Sequence, residues 1–345
     1  MIDTEQFGSL PDGRPVTLYR ITNTCGEFVE LLDYGAAVNS LFVRDKAGVP
    51  GPVTLGAPTA AALAERNYAG VTIGRCANRI ANGQFQLDGR TVQLECGRGG
   101  HYLHGGSGNY ANRFFSADAD GGNAVVFSLL DAGGGGFGSR VQASVHYAFG
   151  DDHQLSIHYT MTPEADTLLN PTNHSYFNLA GSGDILHHSL QVYAHRYARK
   201  GPLHMPQGER VSVAGTPLDF RKAHCLGDVI TTANADFFGG TPPKLDETLL
   251  LENHHGFGLA AELYAPESGR WMCVYTDMPA LVLFTPWQAQ PVPGPHHTVY
   301  AGYCGIALET QFVPNAINCP CFAQPLFRAG RPLRSETIYA FGTEE

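Results

Sequence analysis

Hydrophobic and polar residues alternate along much of the chain, and glycine-containing turns break the alternation at short intervals. Phe85 and Leu87 alternate with Gln84 and Gln86, Asp88-Gly89 follows, and Val92 and Leu94 resume the period. An Asp-Gly pair between two such runs predicts a tight hairpin. The device recurs: Val141, Ala143, Val145, Tyr147 and Phe149 mark one strand, residues 150–154 turn, and Leu155, Ile157, Tyr159 and Met161 mark the next. Period two places such residues on one face of a sheet. A turn over 118–123 leads into a strand over 124–130, and further strands are predicted over 272–276, 281–285 and 336–341. Helical spacing is scarce, residues 59–67 being the one short stretch that carries it.

With 41 glycines and 22 prolines supplying turns, this pattern predicts an all-β fold, a large antiparallel β-sandwich with little helix, rather than alternating β-α units. No low-complexity linker divides the chain, so residues 1–345 read as a single domain. The four-glycine run 133–136 reads as a flexible loop, since strand patterns continue on both sides of it. The proline-rich stretch 286–295 reads as a surface loop able to border a cleft.

Composition narrows the function. An apolar fraction of 43% with 16% charged residues describes a folded globule. The formal charge of -10 repels phosphate backbones and anionic lipid. Nucleic acid and membrane are therefore not expected partners. The N-terminal residues carry Asp3 and Glu5 and lack the basic and apolar regions of a secretion signal, and no apolar run is long enough to span a bilayer. The eight cysteines accordingly read as reduced thiols of a cytoplasmic protein.

Candidate chemistry starts with the histidines. The pairs His187-His188, His254-His255 and His296-His297 point to opposite faces of an extended chain, which is poor chelating geometry. His101 and His104 lie among glycines that disfavour the helix a metal pair would need. Cys319 and Cys321 have no second pair at zinc spacing. No metal site is expected. Residues 74–80, Gly-Arg-Cys-Ala-Asn-Arg-Ile, read either as a solvated loop or as a polar cluster. Residues 172–179, Thr-Asn-His-Ser-Tyr-Phe-Asn-Leu, read either as a hydrogen-bonded turn or as a set of donors and rings suited to sugar hydroxyls. Glu309 is a carboxylate in an otherwise buried-looking run, hence either paired or functional.

Together these segments resemble the aldose 1-epimerase (galactose mutarotase) family. Residues 74–80 are followed by Leu87-Asp88-Gly89, then Leu103-His104-Gly105-Gly106, then residues 172–179. Pro217-Leu218-Asp219-Phe220-Arg221, Leu245-Asp246, Leu308-Glu309-Thr310-Gln311 and residues 314–318, Pro-Asn-Ala-Ile-Asn, complete the family's markers in order. The resemblance implies interconversion of the anomers of a free aldose such as galactose or glucose, without metal or cofactor. It implies Glu309 as general base, His174 as general acid, and His104 assisting near the ring oxygen. Asn78 and Arg79 would bind the sugar, and Asp246 would anchor its far hydroxyls. Two positions depart from the family's pattern: Glu247 stands where relatives often carry His, and Val282 where many carry a sugar-contacting glutamine, a change that bears on which sugars fit.

Other readings are a glycosidase using Asp246 and Glu309 as its carboxylate pair, a hexose-phosphate mutarotase, which would need more cationic groups than this chain offers, and a non-catalytic sugar-binding module of the same fold. A monomer and a homodimer are both compatible with the sequence.

Overall fold

The alternating runs become strands whose apolar positions face inward: along Val141–Phe149 every second side chain is buried. Fully burying a side chain of Val, Leu, Ile or Phe contributes roughly 1.5–3 kcal/mol, so a strand of this kind is held chiefly by one face. A computed structural model describes residues 1–65, 68–97, 99–201, 204–252 and 256–344. It is 48% strand and 8% helical, an all-β protein built from antiparallel sheets.

The largest sheet has nine strands, in the spatial order Ser116–Asp120, Ala124–Asp131, Val141–Phe149, Gln154–Pro163, Leu333–Thr343, Arg270–Thr276, Gly258–Ala265, Ser189–Val192 and His224–Cys225. The C-terminal strand thus lies at its middle. A six-stranded sheet runs Tyr176–Phe177, Ile306–Gln311, Ala280–Phe284, Asp246–Leu250, Arg196–Gly201 and Met205–Ser212. The first five strands, Ile2–Ser9 to Pro50–Pro52, form a third sheet in sequential order.

The sheets share one apolar core that includes Leu31, Phe127, Tyr147, Leu263, Leu281 and Leu308. Polar contacts fix how they stack. The Tyr339 hydroxyl donates to the Leu308 carbonyl at 3.1 Å, and the Thr310 and Thr337 hydroxyls lie 2.6 Å apart, which locks the six-stranded sheet onto the nine-stranded one. The Tyr147 hydroxyl donates at 2.7 Å to the carbonyl of Ala36, which directly precedes strand Ala37–Arg44, and so ties the third sheet to the nine-stranded one.

The Asp88-Gly89 hairpin forms as predicted between Gln84–Leu87 and Arg90–Gln93, with φ of 48° and 76° at its two turn residues. Elsewhere the structure revises the expectation. Of residues 59–67, Ala60–Glu65 form one short 3-10 helix, while 66–67 lie outside the described residues. The turn expected over 118–123 is confined to 121–123, because strand pairing runs on to Asp120. The proline-rich stretch contains a strand, Gln288–Pro293, paired with Val299–Gly302. This hairpin does border a cavity, of about 360 Å³, to which Gln288, Val292, Pro293 and Tyr300 contribute.

The glycine run 133–136 is packed rather than free. A Cβ on Gly134 would stand 3.0 Å from Gly108, and one on Gly135 2.6 Å from the Gly105 carbonyl. The run therefore backs the loop that carries His104. Among the described residues no helix is long and apolar enough to cross a membrane.

Candidate active site

Strand register assembles the first part of the site. In the six-stranded sheet Tyr176 pairs with Ala307, Ala307 with Phe284, Phe284 with Asp246, and Val282 with Glu309. Because alternate residues share a face, Tyr176, Glu309, Phe284 and Asp246 all stand on one side of the sheet. They line a cavity of about 220 Å³ together with Tyr68, Asn78, Arg79, Leu103, His104 and His174. All six residues singled out from the sequence, Glu309, His174, His104, Asn78, Arg79 and Asp246, therefore meet in one pocket. Val282 is buried in the same sheet directly opposite Glu309.

His174 sits on a corner between two sheets. Thr172–Asn173 pairs with Thr72–Ile73, and Tyr176–Phe177 joins the six-stranded sheet. The corner is held by the backbone: the His174 N–H donates to the Val71 carbonyl at 2.9 Å, and the Gly70 N–H donates to the His174 carbonyl at 3.0 Å. Gly70 must be glycine, since its φ is +73° and a Cβ would lie 1.8 Å from the Val38 carbonyl. Thr172 and Asn173 serve the corner too. The Thr172 hydroxyl donates to the Thr310 carbonyl at 3.0 Å, and the Asn173 amide donates to the Gly70 carbonyl at 2.9 Å. Asn178 donates to the Cys304 carbonyl at 3.1 Å. Of this polar segment His174 and Tyr176 reach the pocket, and the hydrogen-bonded-turn reading holds for the rest.

The second wall comes from residues 74–80 and 102–106. Arg79–Ile80 pairs with Tyr102–Leu103, so Asn78 and His104 fall opposite each other. The Asn78 N–H donates to His104 Nδ1 at 3.1 Å, and the His104 N–H donates to the Asn78 carbonyl at 3.0 Å. Both take left-handed backbone, with φ of 60° and 51°, a strain that tends to gather at functional sites. An accepting Nδ1 leaves the proton of a neutral His104 on Nε2. Burial, the neighbouring His174 and Arg79 hold the His104 imidazole well below its usual acidity range, so it is a neutral donor.

The two arginines of this segment have different tasks. Arg79 lines the pocket, and the Asn78 side-chain oxygen accepts from its backbone N–H at 2.9 Å. Arg75 is buried, and its Nε lies 2.7 Å from Asp131 Oδ2, so the solvated-loop reading is wrong for it. Asp131 also accepts from the Tyr110 hydroxyl at 3.0 Å. The marker at 314–318 is a clamp outside the cavity: the Asn315 N–H donates to the Arg79 carbonyl at 2.9 Å, and its side-chain oxygen accepts from the Ala81 N–H at 3.0 Å.

At the floor of the pocket His174 Nε2 lies 3.6 Å from Glu309 Oε1, and the other carboxylate oxygen accepts from the Gln311 amide at 3.3 Å. Both side chains are almost wholly buried, with 6% and 2% exposure. Burial, reinforced by the charge of Asp246 and opposed by the Gln311 hydrogen bond, lifts the Glu309 carboxyl to about 8. Burial also pushes the His174 imidazole down to about 4. Around them the rings of Tyr176 and Phe284 lie 4.9 Å and 6.1 Å from that of His174, and Tyr68 stacks across it at 6.1 Å. The pocket thus offers a proton pair at its base, hydrogen-bonding groups along one rim, a carboxylate at the other, and aromatic faces between.

Tyr68 and Phe284 were not identified from the sequence; Phe284 was detectable only through register, two residues from Val282 in a strand, and Tyr68 carried no signal. Nor were Lys200 and His204, which approach Asp246 from the neighbouring hairpin. Among the described residues no group of three or more His, Cys, Asp or Glu side chains is placed to hold a metal ion. His188 Nε2 accepts from the Leu179 N–H at 2.9 Å, His296 pairs with Glu30 at 3.0 Å, and His254-His255 lie outside the described residues.

The family model for aldose 1-epimerase matches residues 17–340. The chain is 33% identical to an aldose 1-epimerase of Escherichia coli over 340 residues, 97% of each protein. It is 31% identical to a human galactose mutarotase, again over 97% of each. Among solved structures, an aldose epimerase homologue from C. elegans superposes with a TM-score of 0.86 at 27% identity, covering 95% of this chain and 99% of that one. With a family match over almost its whole length and relatives of this likeness, the chain belongs to the aldose 1-epimerase family of isomerases.

Proposed function

We propose that the enzyme interconverts the α and β anomers of a free aldose such as galactose or glucose, with Glu309 as general base and His174 as general acid. The observation that carries this reading is the pair at the pocket floor, Glu309 Oε1 and His174 Nε2 at 3.6 Å, in a cavity otherwise lined for a neutral polyol. Opening a pyranose requires removal of the proton from the anomeric hydroxyl and delivery of one to the ring oxygen. Those two oxygens are bonded to the same carbon, so the two side chains must converge on one point. Rotation about the exposed bond presents the other face of the aldehyde, and the reverse transfers close the ring.

The shifted acidities fit this exchange. Near neutrality the empty pair holds one proton, on Glu309, because the carboxyl is raised to about 8 and the imidazole lowered to about 4. One proton on the pair is also what the reaction needs, with the proton relocated to His174 so that Glu309 can accept. Sugar hydroxyls that hydrogen-bond Glu309 favour that relocation. His104, as a neutral Nε2–H donor, suits a position near the ring oxygen. Asn78 and Arg79 hold hydroxyls on one side and Asp246 on the other. Tyr176 and Phe284 offer faces to the sugar's C–H surface.

Time-resolved NMR of freshly dissolved α-galactose and α-glucose tests the proposal. Anomer exchange well above the spontaneous rate, with no reducing sugar released from an aryl galactoside or glucoside, is the expected result. Release from the glycoside without anomer exchange would replace the reading with a glycosidase.

A further inference from the structure

Asp246 is held by a second set of charged groups that the proton pair does not include. Lys200 lies on the strand Arg196–Gly201, and His204 immediately precedes its partner strand Met205–Ser212. A bulge between Ala198 and Lys200 breaks the register of that hairpin, and bulges re-aim side chains. The Lys200 ammonium donates to the Asp246 backbone carbonyl and lies 3.0 Å from Glu247 Oε1. His204 Nδ1 stands 3.4 Å from Asp246 Oδ2 and 3.3 Å from the Lys200 Nζ. Lys200 is largely enclosed and Glu247 almost completely so, with side-chain exposures of 14% and 4%.

Building on the mutarotase reading, we propose that Lys200 is a positioning residue for sugar binding, which holds the strand at Asp246 through that residue's own carbonyl and is itself fixed by Glu247. Consecutive residues on a strand point to opposite faces, so Asp246 faces the pocket while Glu247 is turned away from it and can act only through Lys200. A buried ion pair contributes little to stability once desolvation is counted. Its gain here is geometric. His204 Nδ1, which accepts from the Lys200 ammonium, lies beside the Asp246 carboxylate, whose oxygens stay available to accept from sugar hydroxyls.

The test is steady-state mutarotation of galactose with Lys200→Met, Lys200→Arg, Asp246→Asn and the double variant Lys200→Met/Asp246→Asn, with folding followed by circular dichroism. Lys200→Met is expected to raise KM roughly 10-fold or more while kcat changes much less, as removal of uniform binding does. Lys200→Arg restores most of the loss. If Lys200 acts through Asp246, the double variant is little worse than Asp246→Asn alone. Should Lys200→Met leave Glu247 buried without a partner and fail to fold, Lys200→Met/Glu247→Gln removes that charge and is expected to show the same rise in KM. A folded Lys200 variant with unchanged KM, or penalties that add in full, would overturn the positioning role while wild-type activity stands. Absence of wild-type mutarotation would overturn the enzyme's proposed reaction as well.

Discussion

Glu309 Oε1 and His174 Nε2 lie 3.6 Å apart, too far for a direct hydrogen bond and close enough for one sugar oxygen to touch both. Their acidities are inverted relative to free side chains, the carboxyl near 8 and the imidazole near 4. The same enclosure causes both shifts, because burial disfavours whichever form is charged. On the proposed mechanism this relationship sets most of what can be measured on the site.

Replacing either group should damage turnover rather than binding. Glu309→Gln and His174→Asn keep much of the shape and some hydrogen bonding but cannot exchange a proton, so kcat for mutarotation is expected to fall roughly 10²- to 10⁴-fold, the usual reach of a positioned acid or base. KM should change much less. Stopped-flow polarimetry on the purified variants, checked for folding, measures both. A Glu309→Gln enzyme with normal kcat and a raised KM would make Glu309 a binding residue.

Local pattern made the strands legible, and order along the chain made the site legible. The alternation at 141–149 and the Asp88-Gly89 turn translate directly into structure because each rests on neighbouring residues. The contribution of register does not: nothing near Phe284 in sequence says that it will face Asp246, since that depends on the pairing of strands 30 or more residues apart. The glycine run at 133–136 misled for a related reason. Its composition reports freedom of the isolated chain, whereas the structure uses the missing side chains to let two backbones touch. Arg75 was equally opaque, because its partner Asp131 lies far along the chain.

That buried pair supports a stability prediction. Arg75→Met would leave Asp131 enclosed, still accepting from Tyr110 and the Gly133 N–H but without its cation. Removing one member of a buried pair costs about 3–5 kcal/mol, and urea denaturation should show the midpoint falling with little change in slope. A loss below about 1 kcal/mol would show that the pair does little for stability.

Glu309 should make the wild type less stable as pH rises. Its folded carboxyl, near 8, binds a proton more tightly than the unfolded one, whose ordinary value is 4.5. Between those values the folded state carries more protons, so stability falls as pH increases and the loss is complete above 8. Glu309→Gln has no such cost. The variant should therefore gain on the wild type by about 3 kcal/mol between pH 5 and pH 8, an order-of-magnitude figure from the size of the shift, and thermal melts of the two proteins at both values give the comparison. His174 contributes in the opposite sense below pH 6.5, where the unfolded imidazole takes the proton first, and that contribution is common to both proteins. Equal melting differences at pH 5 and pH 8 would show that Glu309 ionises normally in the folded enzyme.

The pH dependence of kcat/KM follows from the same pair, because it reports the ionisations of the free enzyme. The proposed mechanism needs one proton on the pair, and the free enzyme holds one between the acidity of His174, near 4, and that of Glu309, near 8. Which of the two groups carries that proton does not alter the profile, since forms with equal proton count keep a constant ratio at every pH. The rate should therefore be level across neutrality, fall below about pH 4 as a second proton is added, and fall above about pH 8 as the last one is lost. Unshifted side chains would give a different curve, a narrow bell between roughly 4.3 and 6.5. The limbs can also be assigned: Glu309→Gln removes the group that loses the last proton, so its residual activity should show no break near pH 8. Polarimetric kcat/KM from pH 3.5 to 9.5 distinguishes these shapes, and a bell centred near pH 5.5 would rule out the inverted acidities of the pair.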